Sequence, residues 1–229
     1  GRGGAGATMV PWWLRSPMER ALILHHGRVY LRPPRSGDWR AWCQLRADSR
    51  AFLVPWEPTW PSDALTRRAF RRRLQQYNHE MQTGQGYSFL IFRREADTLL
   101  GGISLTNVRR GVAQSASLGY WIGRPYARQG FMAEALTAVL DFAFNQLSLH
   151  RVEAACLPEN TASQGLLRKV GFCEEGYARG YLRINGMWQD HVLFGILAED
   201  PRGVDRMAAA RTRAGAPRRP ARAVTAFDA

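Results

Sequence analysis

Residues 119–135, GYWIGRPYARQGFMAEA, allow few local structures. An apolar, aromatic run breaks at Gly123 and Pro125, turns through Arg128, Gln129 and Gly130, and opens an apolar helical pattern at Phe131. A helix start offers unpaired backbone N–H groups and the positive end of the macrodipole. Gly130 lets the backbone approach a ligand closely. Arg124 and Arg128 add positive charge, and no carboxylate lies between Gly119 and Ala133. Together these properties describe a phosphate cradle. It is not a P-loop, which needs a lysine after its glycines, because the single lysine, Lys169, follows no such loop. The GxGxxG spacing of a dinucleotide site is also missing.

The rest of the chain supplies alternating strands and helices. Strands are predicted at 28–32, 87–92, 99–107, 116–122, 152–156, 172–183 and 189–197 from short apolar runs bounded by turn residues. Helices are predicted at 36–50, 62–81, 131–147 and 161–170 from apolar spacing near 3.6. Ser36 is the expected N-cap of the first helix and Gly171 the expected C-cap of the last. Asn185-Gly186 predicts a tight hairpin turn. This order gives an α/β fold with a mixed sheet of about seven strands. Residues 1–27 are expected to be a flexible segment, 28–198 the folded domain, and 199–229 a disordered Arg/Ala/Pro-rich tail.

Four blocks carry a family resemblance. The turn at 128–130 resembles the acyl-CoA pyrophosphate loop of GNAT N-acetyltransferases, with Arg128 where the family places a central glycine. Residues 157–177, LPENTASQGLLRKVGFCEEGY, resemble the family's N-x-x-S-x-x-L-L-x-K-x-G-F-x-x-E-G block. Residues 186–192, GMWQDHV, and 52–58, FLVPWEP, are similar to segments of the RimJ/RimL-type ribosomal-protein alanine acetyltransferases. The resemblance implies a GNAT fold, mostly antiparallel, with helices on both faces and a V-shaped splay at the cofactor site. It implies acetyl-CoA as co-substrate and transfer of the acetyl group to a primary amine, most simply the N-terminal alanine of a ribosomal protein.

The same resemblance distributes the roles. CoA is expected against Tyr120, Trp121 and Ile122, the turn residues Arg128, Gln129 and Gly130, the helix start Phe131, Met132 and Ala133, and Asn160 and Ser163. Ser163 is the first choice for protonating the departing thiolate and Tyr177 the second. RimL-type members carry a Glu on the strand beyond the Glu-Gly, where this chain has Leu182. Glu57 is therefore expected to hold the substrate ammonium, with Asp190 and His191 as further suspects for the base. Glu134 carries less weight as the base, because a carboxylate in the first turn of a helix is favourable anyway, and Glu175 is expected to be structural.

Composition narrows the rest. The 229 residues carry a net charge of +13, which favours anionic partners. Arg67, Arg68, Arg71, Arg72 and Arg73 form a basic face that is expected either to be solvated or to dock ribosomal RNA or an acidic substrate. Three unpaired cysteines suggest a reducing compartment, and the histidines show no metal-ligand spacing, so no metal is expected. No apolar run is long enough to cross a membrane, and a cytoplasmic enzyme is the expectation. Two alternatives stay open. One is a GNAT enzyme acting on a small-molecule amine or antibiotic. The other is a non-catalytic acyl-CoA- or RNA-binding module.

Overall fold

The computed structural model describes residues 22–202. Most of the expected flexible N-terminal segment and nearly all of the expected tail lie outside the described residues. Eight strands form one sheet: β1 (Leu24–His26), β2 (Val29–Arg32), β3 (Tyr87–Arg93), β4 (Thr98–Arg109), β5 (Ser115–Ile122), β6 (Arg151–Cys156), β7 (Cys173–Ile184) and β8 (Met187–Leu197). Their order is β1-β2-β3-β4-β5-β6-β8-β7. Every neighbouring pair is antiparallel except β5 and β6. The helices are α1 (Trp39–Asp48), α2 (Arg50–Leu53), α3 (Arg67–Thr83), α4 (Phe131–Asp141) and α5 (Thr161–Val170).

Both faces of the sheet are covered, and the alternation of β3 shows how. Phe89 and Ile91 belong to the core on the side of α4 and α5, with Leu136 and Leu167. Leu90 and Phe92 point the other way, into a second core with Trp42 of α1 and Phe70 of α3. Successive strand residues alternate faces, so a strand covered on both sides reads as a continuous apolar run. At roughly 1.5–3 kcal/mol for each buried large side chain, these two layers supply most of the driving force for folding.

Several boundaries differ from expectation. The sheet begins ahead of residue 28, because β1 pairs with β2 across a turn in which Gly27 has φ +51°. The run Leu24-His25-His26 carries too little apolar signal to stand out. The first helix is preceded by a short 3-10 turn over Ser36–Asp38, and Ser36 makes no cap bond. Instead the Asp38 carboxylate accepts from the Arg35 backbone N–H at 2.6 Å and from Arg32. The second helix begins at Arg67 rather than 62, capped by Thr66, whose hydroxyl accepts from Ala69 N–H at 3.2 Å. The third expected helix, α4, runs into a π turn over Phe142–Gln146, which turns Phe142 edge-on to Tyr87 and Phe89. The Asn185-Gly186 turn has both residues at positive φ, 44° and 83°, the geometry that a two-residue hairpin needs.

Gly101 and Gly102 on β4 let the neighbouring strand and its indole close down. A Cβ at Gly101 would lie 2.3 Å from the Trp121 carbonyl oxygen, and one at Gly102 would lie 2.5 Å from Trp121 Nε1. Backbone cannot yield there as a side chain can. Gly101→Ala is expected to lower unfolding free energy by about 2–3 kcal/mol, read as a shifted denaturation midpoint in urea. A midpoint equal to the parent's would show that β5 can move away at little cost.

Candidate active site

The parallel pair β5–β6 holds together for only three registers, Ser115 with Arg151, Ala116 with Val152 and Ser117 with Glu153. Beyond that point the strands part. β5 follows β4 as far as Ile122 opposite Gly101, and β6 follows β8 as far as Cys156 opposite Val192. The facing edges are left with backbone N–H and C=O groups that need partners. A cavity of about 540 Å³ fills this V. It is lined by Gly119–Ile122 of β5, by Arg128, by residues 130–133 and by Asn160 and Ser163.

The phosphate end is built by the turn. Gly123 N–H donates to Leu100 O at 2.8 Å, which ends β5, and Arg124 N–H donates to the buried Ser49 hydroxyl at 2.9 Å. Arg128 has φ +61° and Gly130 φ +86°, so both adopt the left-handed conformation that the family pattern fills with glycine. An arginine can hold this conformation at a cost of about 1 kcal/mol. Arg128 is among the residues that line the cavity. No side chain caps α4, so its first-turn N–H groups face the opening with the helix dipole behind them.

A brace from the other end of the chain fixes the turn. The Arg28 backbone N–H and Nε donate to the two Glu134 carboxylate oxygens at 2.6 and 2.8 Å. Its Nη2 donates to the Gln129 carbonyl at 2.9 Å, and its guanidinium lies 4.3 Å from the centre of the Phe131 ring. Both Glu134 carboxylate oxygens are thus engaged by Arg28. Gln129 does not line the cavity. Its side chain donates to Pro125 O at 2.7 Å and its carbonyl is held by Arg28, so it shapes the turn.

Toward the reacting end, Asn160 caps α5 by accepting from Ser163 N–H at 3.1 Å. That bond orients Ser163, whose hydroxyl lies 2.7 Å from the Tyr120 hydroxyl. Burial pushes the Tyr120 phenol up to about 12, so it stays protonated at neutral pH. Cys156, on the same wall, is also pushed up by burial and is a thiol rather than a thiolate.

Tyr177 stands apart from this group. It is 57% exposed, is absent from the cavity wall, and donates its hydroxyl to Asp190 at 2.8 Å. Asp190 also accepts from Gly180 N–H at 2.7 Å, the larger reason why its carboxyl is held below the usual range. Both residues fasten the bulge of β7 to β8. His191 does line the cavity and is only 3% exposed. Its Nδ1 lies 3.0 Å from the Gln189 carbonyl, which can only accept, so Nδ1 carries the hydrogen of that bond. Glu175 is structural, paired with Arg151.

Glu57 is engaged rather than free. Arg46 Nη1 and Nη2 donate to it at 3.3 and 2.5 Å, and Trp60 Nε1 donates at 2.7 Å. Arg46 is 8% exposed and lies over the rings of Trp60, Trp121 and Trp42 at 4.4, 4.8 and 5.6 Å from their centres. Sequence reading missed Arg46. Its signal was an arginine four residues after Trp42 on the inward side of a helix. Glu57 also borders a second cavity, of about 340 Å³, between α1, α3 and strands β3–β5. The two cavities share Glu57 and residues 119–121 of β5.

The acetyltransferase (GNAT) domain family matches residues 28–173. This chain belongs to the GNAT acetyltransferase family. A probable N-acetyltransferase of Bacillus subtilis, YjcK, is 36% identical over 172 residues, covering 75% of this chain and 95% of its own length. The [ribosomal protein uS5]-alanine N-acetyltransferase of Escherichia coli is 36% identical over 162 residues, covering 71% and 83%. The solved structure of Mycobacterium smegmatis RimJ in complex with CoA-disulfide superposes with a TM-score of 0.74 at 33% identity, covering 83% of this chain and 93% of that one. The protein is an acetyl-CoA-dependent N-acetyltransferase of the RimJ/RimL-type subgroup. Among the described residues no helix is long and apolar enough to cross a membrane, and no group of three His, Cys, Asp or Glu side chains could hold a metal ion.

A methyl group at Gly130 would meet Arg28 Nη2 at 3.2 Å on a backbone with φ +86°. Gly130→Ala is therefore expected to raise the KM for acetyl-CoA about tenfold, with a loss of stability of roughly 1 kcal/mol. Steady-state kinetics with acetyl-CoA as the varied substrate reads this. An unchanged KM would remove the turn from the cofactor site.

Proposed function

We propose that this enzyme acetylates a protein N-terminus, an alanine of a ribosomal protein, and so works in the cytoplasm. The observation that carries the reading is the meeting of two cavities at Glu57 and 119–121. One has the width and phosphate-binding turn for acetyl-CoA. The other admits an acceptor from the opposite side, past a carboxylate suited to an ammonium group. Kinship with a ribosomal-protein alanine acetyltransferase over most of both chains supports the choice of acceptor.

The chemistry follows from the groups present. The amine nitrogen attacks the thioester carbonyl carbon, the C–N bond forms and the C–S bond breaks. Backbone N–H groups of β5 stabilise charge on the carbonyl oxygen. The nitrogen's proton passes to Nε2 of His191, directly or through water, while Glu57 holds the ammonium before reaction. Glu57 fits the holding role better than the base's, because Arg46 and Trp60 already occupy most of its lone pairs. The departing thiolate takes a proton from Ser163, and solvent water returns a proton to the serine while His191 gives up to solvent the one it took from the amine. The Ser163 and Tyr120 hydroxyls share a hydrogen bond of 2.7 Å, and with Tyr120 as its donor the serine's own hydrogen is free for the sulfur. On the outer face of α3, Arg68 and Arg71 have no ion pair among the described residues and would supply the contact to ribosomal RNA.

Incubation with acetyl-CoA and a panel of ribosomal proteins and N-terminal peptides tests the acceptor by mass spectrometry. An acetyl adduct on an N-terminal alanine is the expected result. Adducts confined to small-molecule amines would replace the ribosomal reading. Ser163→Ala should lower kcat about 100-fold and leave the KM for acetyl-CoA within about twofold; unchanged turnover would reduce Ser163 to a helix-capping partner. With Tyr120 protonated up to about pH 12, the rate should climb through the amine's ionisation near pH ~8. It should not fall again before about pH 10. A descending limb near neutrality would mean that another acid protonates the thiolate.

A further inference from the structure

The second cavity is lined by donors that nothing in the protein answers. Arg73 of α3 lies 5.7 Å from the Trp42 ring centre and has no carboxylate partner among the described residues. Trp42 and Trp121, on the same wall, have no hydrogen-bond partner for Nε1 among the described residues, and neither has the Tyr77 hydroxyl. The single carboxylate of the wall, Glu57, is already held by Arg46 and Trp60. Ser88 and Ser104 on the floor bond to each other at 2.9 Å. With Arg46 and Arg73 against Glu57, the wall is cationic by one charge.

We propose that this cavity is a carboxylate-reading chamber. It takes an acidic group that the acceptor carries close to its reacting amine, and Arg73 is the charge that pairs with it. A carboxylate has two oxygens and only accepts, which matches an array of N–H and O–H donors. A neutral amide would satisfy the donors in part, and a cationic side chain would leave them unmatched beside Arg73. At about 340 Å³ the chamber has room for one or two side chains, which excludes a folded partner or a nucleic-acid strand as its occupant. The inference rests on the reading above, in which the amine is held at Glu57. It adds that selectivity is set by charge one or two residues beyond the amine. The carboxylate has two sources: an aspartate or glutamate near a protein N-terminus, or the α-carboxylate of a free amino acid.

The test uses the full chain and pairs of alanine-first peptides that differ only by glutamate or glutamine at the second or third position. The glutamate peptide is expected to be acetylated with about fivefold higher kcat/KM at one of these positions, through KM. Arg73→Gln should bring the ratio to within about twofold, and Arg73→Lys should restore most of it. Free glutamate, alanine and their amides form the second arm. Turnover lost on amidation, without a peptide preference, assigns the chamber to a free α-carboxylate and replaces the protein acceptor. Calorimetry of the same peptides with CoA-saturated protein reads the chamber without turnover. Tighter binding of the acidic peptide with no acetylation would sink the ribosomal reading and leave the chamber standing. Equal affinities and equal rates for glutamate and glutamine at both positions, or a preference that survives Arg73→Gln, would overturn the inference.

Discussion

The active site depends on a sheet that stops pairing. β5 and β6 share three registers and then follow other neighbours, so each presents an unbonded backbone edge to the V between them. A buried, unpartnered peptide group costs on the order of 1–3 kcal/mol. An extended ligand that adds hydrogen bonds along one edge recovers that cost, as an added strand would. The pantetheine arm of CoA has the amides to do so. The cavity in the split runs from the start of α4 to Ser163. Everything chemical in the site is arranged about that line.

The two ends of the V are stiffened by different means. The phosphate end relies on a left-handed residue, Arg128, followed two positions on by left-handed Gly130. Such a turn would sample other conformations if it were free. Arg28 and Glu134 tie it to the first hairpin, and Ser49 ties its start to the junction of α1 and α2. The reacting end relies on burial. Asn160 fixes the backbone of Ser163, and the Ser163 hydroxyl shares a hydrogen bond with the Tyr120 phenol, which burial pushes up to about 12. The arginines thus gather at the turn, while the groups around Ser163 are neutral.

The gathering of the 119–133 segment, Asn160 and Ser163 around one cavity was legible because each piece is local. Strand, turn and helix are contiguous at 119–135, and Asn160 and Ser163 are three residues apart on one helix start. Short-range spacing suffices to place such groups together. Arg128 also kept its place in the pattern, since an arginine can occupy a left-handed position that glycine fills at no steric cost. The acceptor side was not legible. Its wall comes from α1, the 57–61 segment, α3 and three strands, and no spacing in the chain connects Arg46 to Trp121 or Arg73 to Glu57. Tyr177 shows the same limit. Its type and position suited an acid, but only the register of β7 on β8 reveals that Asp190 takes its hydroxyl. The missed β1 is a case of weak signal, since its strand character comes from pairing with β2 rather than from its own side chains.

The ion pair of Arg46 and Glu57 links the two halves. Burying a charge pair costs several kcal/mol unless its remaining donors are satisfied. Here Trp60 donates to the carboxylate, and three indole faces receive the guanidinium. One of those indoles, Trp121, belongs to the same β5 segment that faces the thioester, and it can lie flat over β4 only because Gly102 has no side chain. The Glu57 carbonyl also accepts from Asn185 N–H at 2.9 Å, which joins the β7–β8 turn to the acceptor loop. An acceptor that displaced Arg46 from Glu57 would strand a buried cation among the tryptophans. The arrangement therefore favours a cation that adds to the pair over one that breaks it.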